Sequence, residues 1–322
     1  MRLKRLTVLF LLSIFSVLVI ACGATEETNQ ETTTDQADTE VTSFPLEVTD
    51  ATGKNVTLEE EPETIVSTIP SNTEILFALD LGERVIGVTE NDNYPEDVAD
   101  IEKVGDYNIN VEKVISLDPD LVLAHESSAN SSLEAFEQIE DADIPVYFVQ
   151  DAQSIEATYE SILEIGTVTG AIDNAEKLVE EMKDAFAEIE KIAKEIPEED
   201  KKSVIFEVSP EPEIYTGGQG TFFHELIELI GAKNAAGDLE GWAQIDAEAI
   251  VDFNPDVIIT LYGNYVEDAI DQVKARDGFS DVTAIKEDAV YDLDEDTISR
   301  PGPRLVDGAR NLGESVYPDY FK

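Results

Sequence analysis

Short apolar runs alternate with amphipathic stretches along this chain from residue 63 to its end. The run at 63–69 (ETIVSTI) reads as a buried strand. Pro70, Ser71 and Asn72 supply a turn and a cap. The segment 73–81 (TEILFALDL) then carries apolar residues at helical spacing up to Gly82, a natural stop. Further strands are predicted at 84–88, 121–124 and 145–149. Helices are predicted at 111–117, capped by Asn110 and ended by Pro119, and at 133–140. The later half keeps the same grammar. It has strands at 203–208, 257–260 and 289–293, and helices at 222–230, at 267–275, at 304–314 and after the cap Asp246. Strands alternating with helices predict a parallel α/β sheet.

Between the halves, Leu178, Met182, Ala185, Phe186, Ile189, Ala193 and Ile196 recur at three- and four-residue steps, with charge on the other faces. The pattern predicts one amphipathic helix over 171–196, about 26 residues and about 39 Å long. Pro197 and the acidic run Glu198, Glu199, Asp200 close it. A single long helix between two α/β units is a stiff strut.

The halves also repeat in detail. Residues 110–124 (NVEKVISLDPDLVLA) and 246–260 (DAEAIVDFNPDVIIT) align Glu112 with Glu248, Pro119 with Pro255 and Asp120 with Asp256. A weaker echo links 145–149 (PVYFV) with 289–293 (AVYDL). The chain therefore divides into a first lobe (45–170), a linking helix (171–197) and a second lobe (198–322). Ligands of open α/β sheets bind beyond the carboxyl ends of the strands. The loops 125–128 and 261–264 are thus expected to face each other across a cleft. Asn91 to Tyr94 and Glu211 to Tyr215 follow other strands and belong to the same region.

The N-terminus reads as a targeting segment. Arg2, Lys4 and Arg5 precede an almost unbroken apolar run of about 16 residues, short for a bilayer span of about 20. Val19, Ile20, Ala21 and Cys22 resemble a bacterial lipobox, in which the cysteine becomes the lipidated N-terminus. Residues 1–21 are thus expected to be a signal peptide and Cys22 a lipid anchor holding the protein at a membrane surface. Cys22 is the one cysteine, so no intramolecular disulfide forms. Residues 22–44 lack aromatic residues until Phe44 and carry almost no large aliphatic ones, and are expected to be a disordered acidic tether.

Composition removes several functions. Apolar residues make up 42% of the chain, enough for real cores, and 71 acids against 21 bases give a net charge of −50. Nucleic-acid binding is excluded, because phosphate contacts need a basic face. The two histidines, His125 and His224, exclude a multi-histidine metal centre. No nucleophile elbow, phosphate loop or paired-cysteine motif is present, and Gly217, Gly218 and Gly220 read as a plain loop. Neither a cofactor nor catalysis is expected. A chelatase and a zinc or manganese receptor are the competing classes, and both want more histidines or cysteines than this chain has.

The segment 64–88, Tyr94 with Pro95, the junction 110–124 and the late Arg300-Pro-Gly-Pro-Arg304 together resemble the substrate-binding proteins of ABC importers for vitamin B12, haem and ferric siderophores. The resemblance covers 45–322, and with the lipobox it resembles the Gram-positive, lipid-anchored form at the outer face of the cell membrane. It implies two Rossmann-like lobes joined by one long rigid helix, with ligand in the cleft between them. It implies that Glu112 and Glu248 dock on arginine-containing pockets of the permease dimer, whose ATPase drives uptake, and that the protein is a monomer. The ligand it implies is a large metal chelate. A corrinoid is the first choice, from Ser71 to Glu74, Tyr94-Pro95 and Trp242, and a ferric siderophore or haem is the alternative. Trp242 and Tyr107 lie near aromatic positions of the B12-binding members, whereas Asn91 stands where those carry tyrosine. Arg300 is expected to draw an anionic ligand group. His125, Tyr262 and Tyr215 are the remaining candidate contacts.

Overall fold

The computed structural model describes residues 43–322; the signal segment, Cys22 and the tether up to residue 42 lie outside the described residues. In chain order, a hairpin of β1 (Leu46–Thr49) and β2 (Asn55–Leu58) precedes β3 (Ile65–Ser67), α1 (Pro70–Ala78), β4 (Val85–Val88) and β5 (Glu102–Lys103). Then come α2 (Val111–Leu117), β6 (Leu121–His125), α3 (Leu133–Glu140), β7 (Val146–Val149), α4 (Ile155–Val168) and α5 (Ile172–Ala193). The second lobe begins with β8 (Ser203–Glu207), β9 (Ile214–Gly217), α6 (Phe222–Leu229), β10 (Lys233–Asn234), β11 (Trp242–Ile245) and α7 (Ala247–Phe253). It ends with β12 (Val257–Thr260), α8 (Ala269–Lys274), α9 (Thr283–Lys286), β13 (Val290–Asp292), α10 (Glu295–Ser299) and α11 (Leu305–Val316).

Two parallel sheets result. The first runs β5-β4-β3-β6-β7 and the second β10-β8-β12-β13. Their central strands follow one order, so the repeated sequence is a repeated topology. Both faces of each sheet are covered, which is why the strands read as unbroken apolar runs. Ile65, Leu121 and Leu123 face one core, and Val66, Val122 and Ala124 face another under α2 and α3. In the second sheet Val204, Phe206, Val257 and Ile259 point to the shared core, and Ile205 and Ile258 to an outer one. The shared core is continuous between the lobes through Ile162 of α4, Phe186 of α5 and Leu226 of α6.

The repeated junctions are built alike. The side chain of Asn110 accepts from Lys113 N, and that of Asp246 from Ala249 N. Each helix ends on a left-handed residue, Asp118 (φ 50°) or Asn254 (φ 45°), so these residues turn the chain before either proline does. Asp120 then accepts from Glu63 N, Thr64 N and the Thr64 hydroxyl; Asp256 accepts from Ser203 N and the Ser203 hydroxyl. Asp120 thus pins the start of β3 to β6, and Asp256 pins the start of β8 to β12.

Several elements differ from their sequence expectations. Helix α1 starts at Pro70 rather than Thr73, because proline suits the first helical position where its missing N–H costs nothing. It stops at Ala78, and the turn reverses at Asp80 (φ 63°) before Gly82. The long helix covers 22 residues rather than about 26, and it is one of a pair, since α4 packs along it. Gly166 allows that approach: a Cβ there would collide with the Cβ of Ala175. The antiparallel hairpin β9–β11 went unforeseen because its strands lie 24 residues apart in sequence, with α6 between them.

Candidate functional site

The loops at the carboxyl ends of β3, β4 and β6 converge on one side of the first sheet. Thr68, Ile69, Thr89, Asn91, Ser127 and Ser128 line a cavity of about 750 Å³ there, closed from the second lobe by Glu295, Asp296, Ser299 and Arg300. A smaller cavity of about 310 Å³ adjoins it, sharing Ile69, Ser127, Glu295 and Ser299. Together they form a cleft between the lobes. A larger hollow of about 840 Å³ lies along α4, α5 and α6, lined by Tyr159, Phe186 and Leu229. No strand-end loop opens into it, so the strand-end cleft is the candidate site.

The cleft brings together five of the seven expected contacts. Asn91, Tyr107 and Arg300 line the larger cavity; His125 and Trp242 line the smaller. Tyr107 is 86% exposed and stands at the mouth. Trp242 rests edge-on against Phe222 and Phe223, and its indole N–H donates to Gln153 Oε1 at 3.0 Å, a contact from one lobe to the other. His125 is almost fully buried, with Nδ1 2.8 Å from the Ser127 hydroxyl. Burial lowers its pKa, against the opposing pull of Asp151 and Glu126, which favours the neutral ring.

Two expected contacts sit elsewhere. Tyr262 is 1% exposed, and its hydroxyl donates to Glu207, which also holds Arg276 through two bonds. Burial and the Glu207 carboxylate raise its pKa well above the usual range. The loop 261–264 folds onto its own sheet because Thr260 Oγ1 and Gly263 N both donate to Asp292. The second-lobe wall is therefore α10 and Arg300 over the larger cavity, joined by Phe222, Phe223 and Trp242 over the smaller. Tyr215 lies opposite Gln244 in the β9–β11 ladder, on the face that carries Trp242, but outside both cavities. Ser127 and Ser128 belong to the loop 125–128 expected at the cleft and do line it, whereas Ser131, Ser132 and the carboxylates of α10 were not singled out from sequence, because hydroxyls and acids are too common in this chain to mark a site.

Arg300 has its valences taken. It donates to Glu74 Oε1 at 2.8 Å, to Asn93 Oδ1 at 2.8 Å and to the Asn91 carbonyl at 3.4 Å, and pairs with Asp296 at 2.7 Å. Arg304 grips the same Glu74 through Nε at 2.8 Å and Nη2 at 2.6 Å, and stacks over the Tyr94 ring. Two short motifs at opposite ends of the chain, Ser71 to Glu74 and Arg300 to Arg304, are thus the two sides of one ionic clamp.

The Periplasmic binding protein family model matches residues 65–297, a span that holds both parallel sheets and most of the cleft lining. The chain belongs to this family. It is 48% identical over 319 residues to an uncharacterized ABC transporter substrate-binding lipoprotein of Bacillus subtilis, covering 99% of each chain. It is 29% identical over 285 residues to a cobalamin-binding protein of Halobacterium salinarum, covering 85% of this chain and 75% of that one. Among solved structures, a possible iron-binding (periplasmic solute-binding) protein from Staphylococcus epidermidis superposes with a TM-score of 0.71 at 39% identity, over 80% of this chain and 100% of that one. As a periplasmic binding protein, the chain is the solute-binding component of an ABC transporter and not an enzyme, and its partners are that transporter's permease and ATPase. Among the described residues no helix is long and apolar enough to cross a membrane. In the family frame Glu112 and Glu248 are matching first-turn residues of α2 and α7, both exposed and, among the described residues, outside any ion pair.

Proposed function

We propose that this protein captures a vitamin B12-like corrinoid outside the cytoplasm and delivers it to an ABC importer. The observation that carries this reading is the continuous cleft flanked by Tyr107 and Trp242, two exposed aromatic surfaces suited to a broad, partly apolar chelate. The similarity to a cobalamin-binding protein supports it. A ferric siderophore or haem is the second reading, favoured by the similarity to a possible iron-binding protein.

The rest of the layout follows the same logic. Residues 45–170 and 198–322 act as the two arms, with 171–197 between them, and Glu112 and Glu248 dock on the permease. Lipid on Cys22 holds the protein at the outer membrane face, supported by the 48% identity to a lipoprotein. The test is a titration of the purified protein with cyanocobalamin, haem and a siderophore panel, following Trp242, the sole tryptophan. Quenching and calorimetric heat with cyanocobalamin are expected. Silence with cyanocobalamin beside tight binding of a siderophore or haem reverses the order of the two readings.

A further inference from the structure

The two cavities are lined by four carboxylates, Asp106, Asp151, Glu295 and Asp296, and among the described residues by one permanent cation, Arg300. A chain of net charge −50 puts acids on most surfaces, so the carboxylates alone mean little. What sets this cleft apart is that its cation is already used. Arg300 is matched by Glu74, Asp296 and two asparagine oxygens, and its side chain is only 15% exposed. A ligand carboxylate would have to draw it from Glu74, which is itself buried, and would then face the remaining acids. The other polar groups of the wall, among them the hydroxyls of Thr68, Thr89, Ser127, Ser128 and Ser131 and the amide of Asn108, are neutral and both donate and accept hydrogen bonds, so they offer a ligand carboxylate no counter-charge.

We propose that the cleft is a charge filter: it admits neutral or cationic metal chelates and rejects chelates bearing free carboxylates. The proposal rests on the cleft being the ligand site, and it names the ligand class by charge rather than by metal. Burial above all, and then the neighbouring Asp296, push the Glu295 carboxyl pKa up against the pull of Arg300 and a hydrogen bond from Asn264. The field of the whole acidic chain acts in the same direction at long range.

The test uses two matched pairs of probes in calorimetry with the purified protein. One pair is cyanocobalamin and its monocarboxylic acid, made by hydrolysing one amide. The other is ferrioxamine B, which carries an ammonium group, and its N-succinyl derivative, which carries a carboxylate. In any pair that binds, the carboxylate member is expected to be weaker by about tenfold or more at low salt, with the gap narrowing as salt is added. Asp106→Asn with Glu295→Gln, which breaks no ion pair among the described residues, is expected to strengthen the carboxylate member selectively. Equal or tighter binding of the carboxylate member overturns the filter while leaving the corrinoid reading in place. Binding of the iron pair alone, with the gap intact, overturns the corrinoid reading and keeps the filter. Absence of heat from all four probes overturns both.

Discussion

Asp120 and Asp256 show how much one side chain does here. Each carboxylate sits at a helix–strand junction and gathers backbone and hydroxyl donors from the start of a neighbouring strand, β3 for Asp120 and β8 for Asp256. Those donors belong to a strand end that has no ladder partner for them, so removing the carboxylate leaves them to water or to nothing. Asp120→Ala and Asp256→Ala are each expected to cost about 1–3 kcal/mol, since hydrogen bonds to charged acceptors are the stronger kind. Urea unfolding measures this, and the double variant is expected to add the two costs because the junctions share no partner. The duplicated aspartate was visible in the sequence. Its task was not, because the donors lie more than fifty residues upstream.

At the scale of elements, α2 and α7 are short helices with side-chain caps at the front and a left-handed residue at the back. Such a helix holds its first turn in a fixed direction, so Glu112 and Glu248 project from equivalent rigid mounts. The proposed docking role gives two related permease subunits one such carboxylate each. Reversing both, Glu112→Arg with Glu248→Arg, is expected to abolish uptake in cells and to leave ligand affinity within about twofold, since neither residue lines the cleft. Normal uptake by the double variant removes the docking role. Elements with a local signature, such as α3, β7, β12 and α6, were legible from period and caps. Helix α4 was not picked out, although it has a capping Ser154, because nothing in its own sequence says that it pairs with α5. The β9–β11 hairpin was hidden for the same kind of reason, since pairing across α6 leaves no local trace.

At the scale of the whole molecule, the lobes are fastened on both sides of the cleft. On one side Glu74 holds Arg300 and Arg304, and Asn93 donates to Asp296 at 2.7 Å. On the other, Trp242 donates to Gln153, and Ile155 N donates to Glu225 at 2.7 Å. With a continuous core beneath, this makes large opening of the lobes costly. Glu74→Gln is expected to lower stability by about 3 kcal/mol or more, because two guanidiniums lose a buried partner. Guanidinium chloride unfolding followed at Trp242 gives the cost, and an unchanged midpoint refutes the clamp. The sequence by itself determined the two parallel α/β halves, the matched helix–strand junctions and the helix between them, because period, caps and apolar runs are local properties of the chain. Only the tertiary structure decided which polar residues meet. It buried Tyr262 on Glu207, it made α10 a wall of the cleft, and it joined Arg300 to Glu74 across more than two hundred residues. Contacts of that separation depend on how whole elements pack, and no local pattern records them.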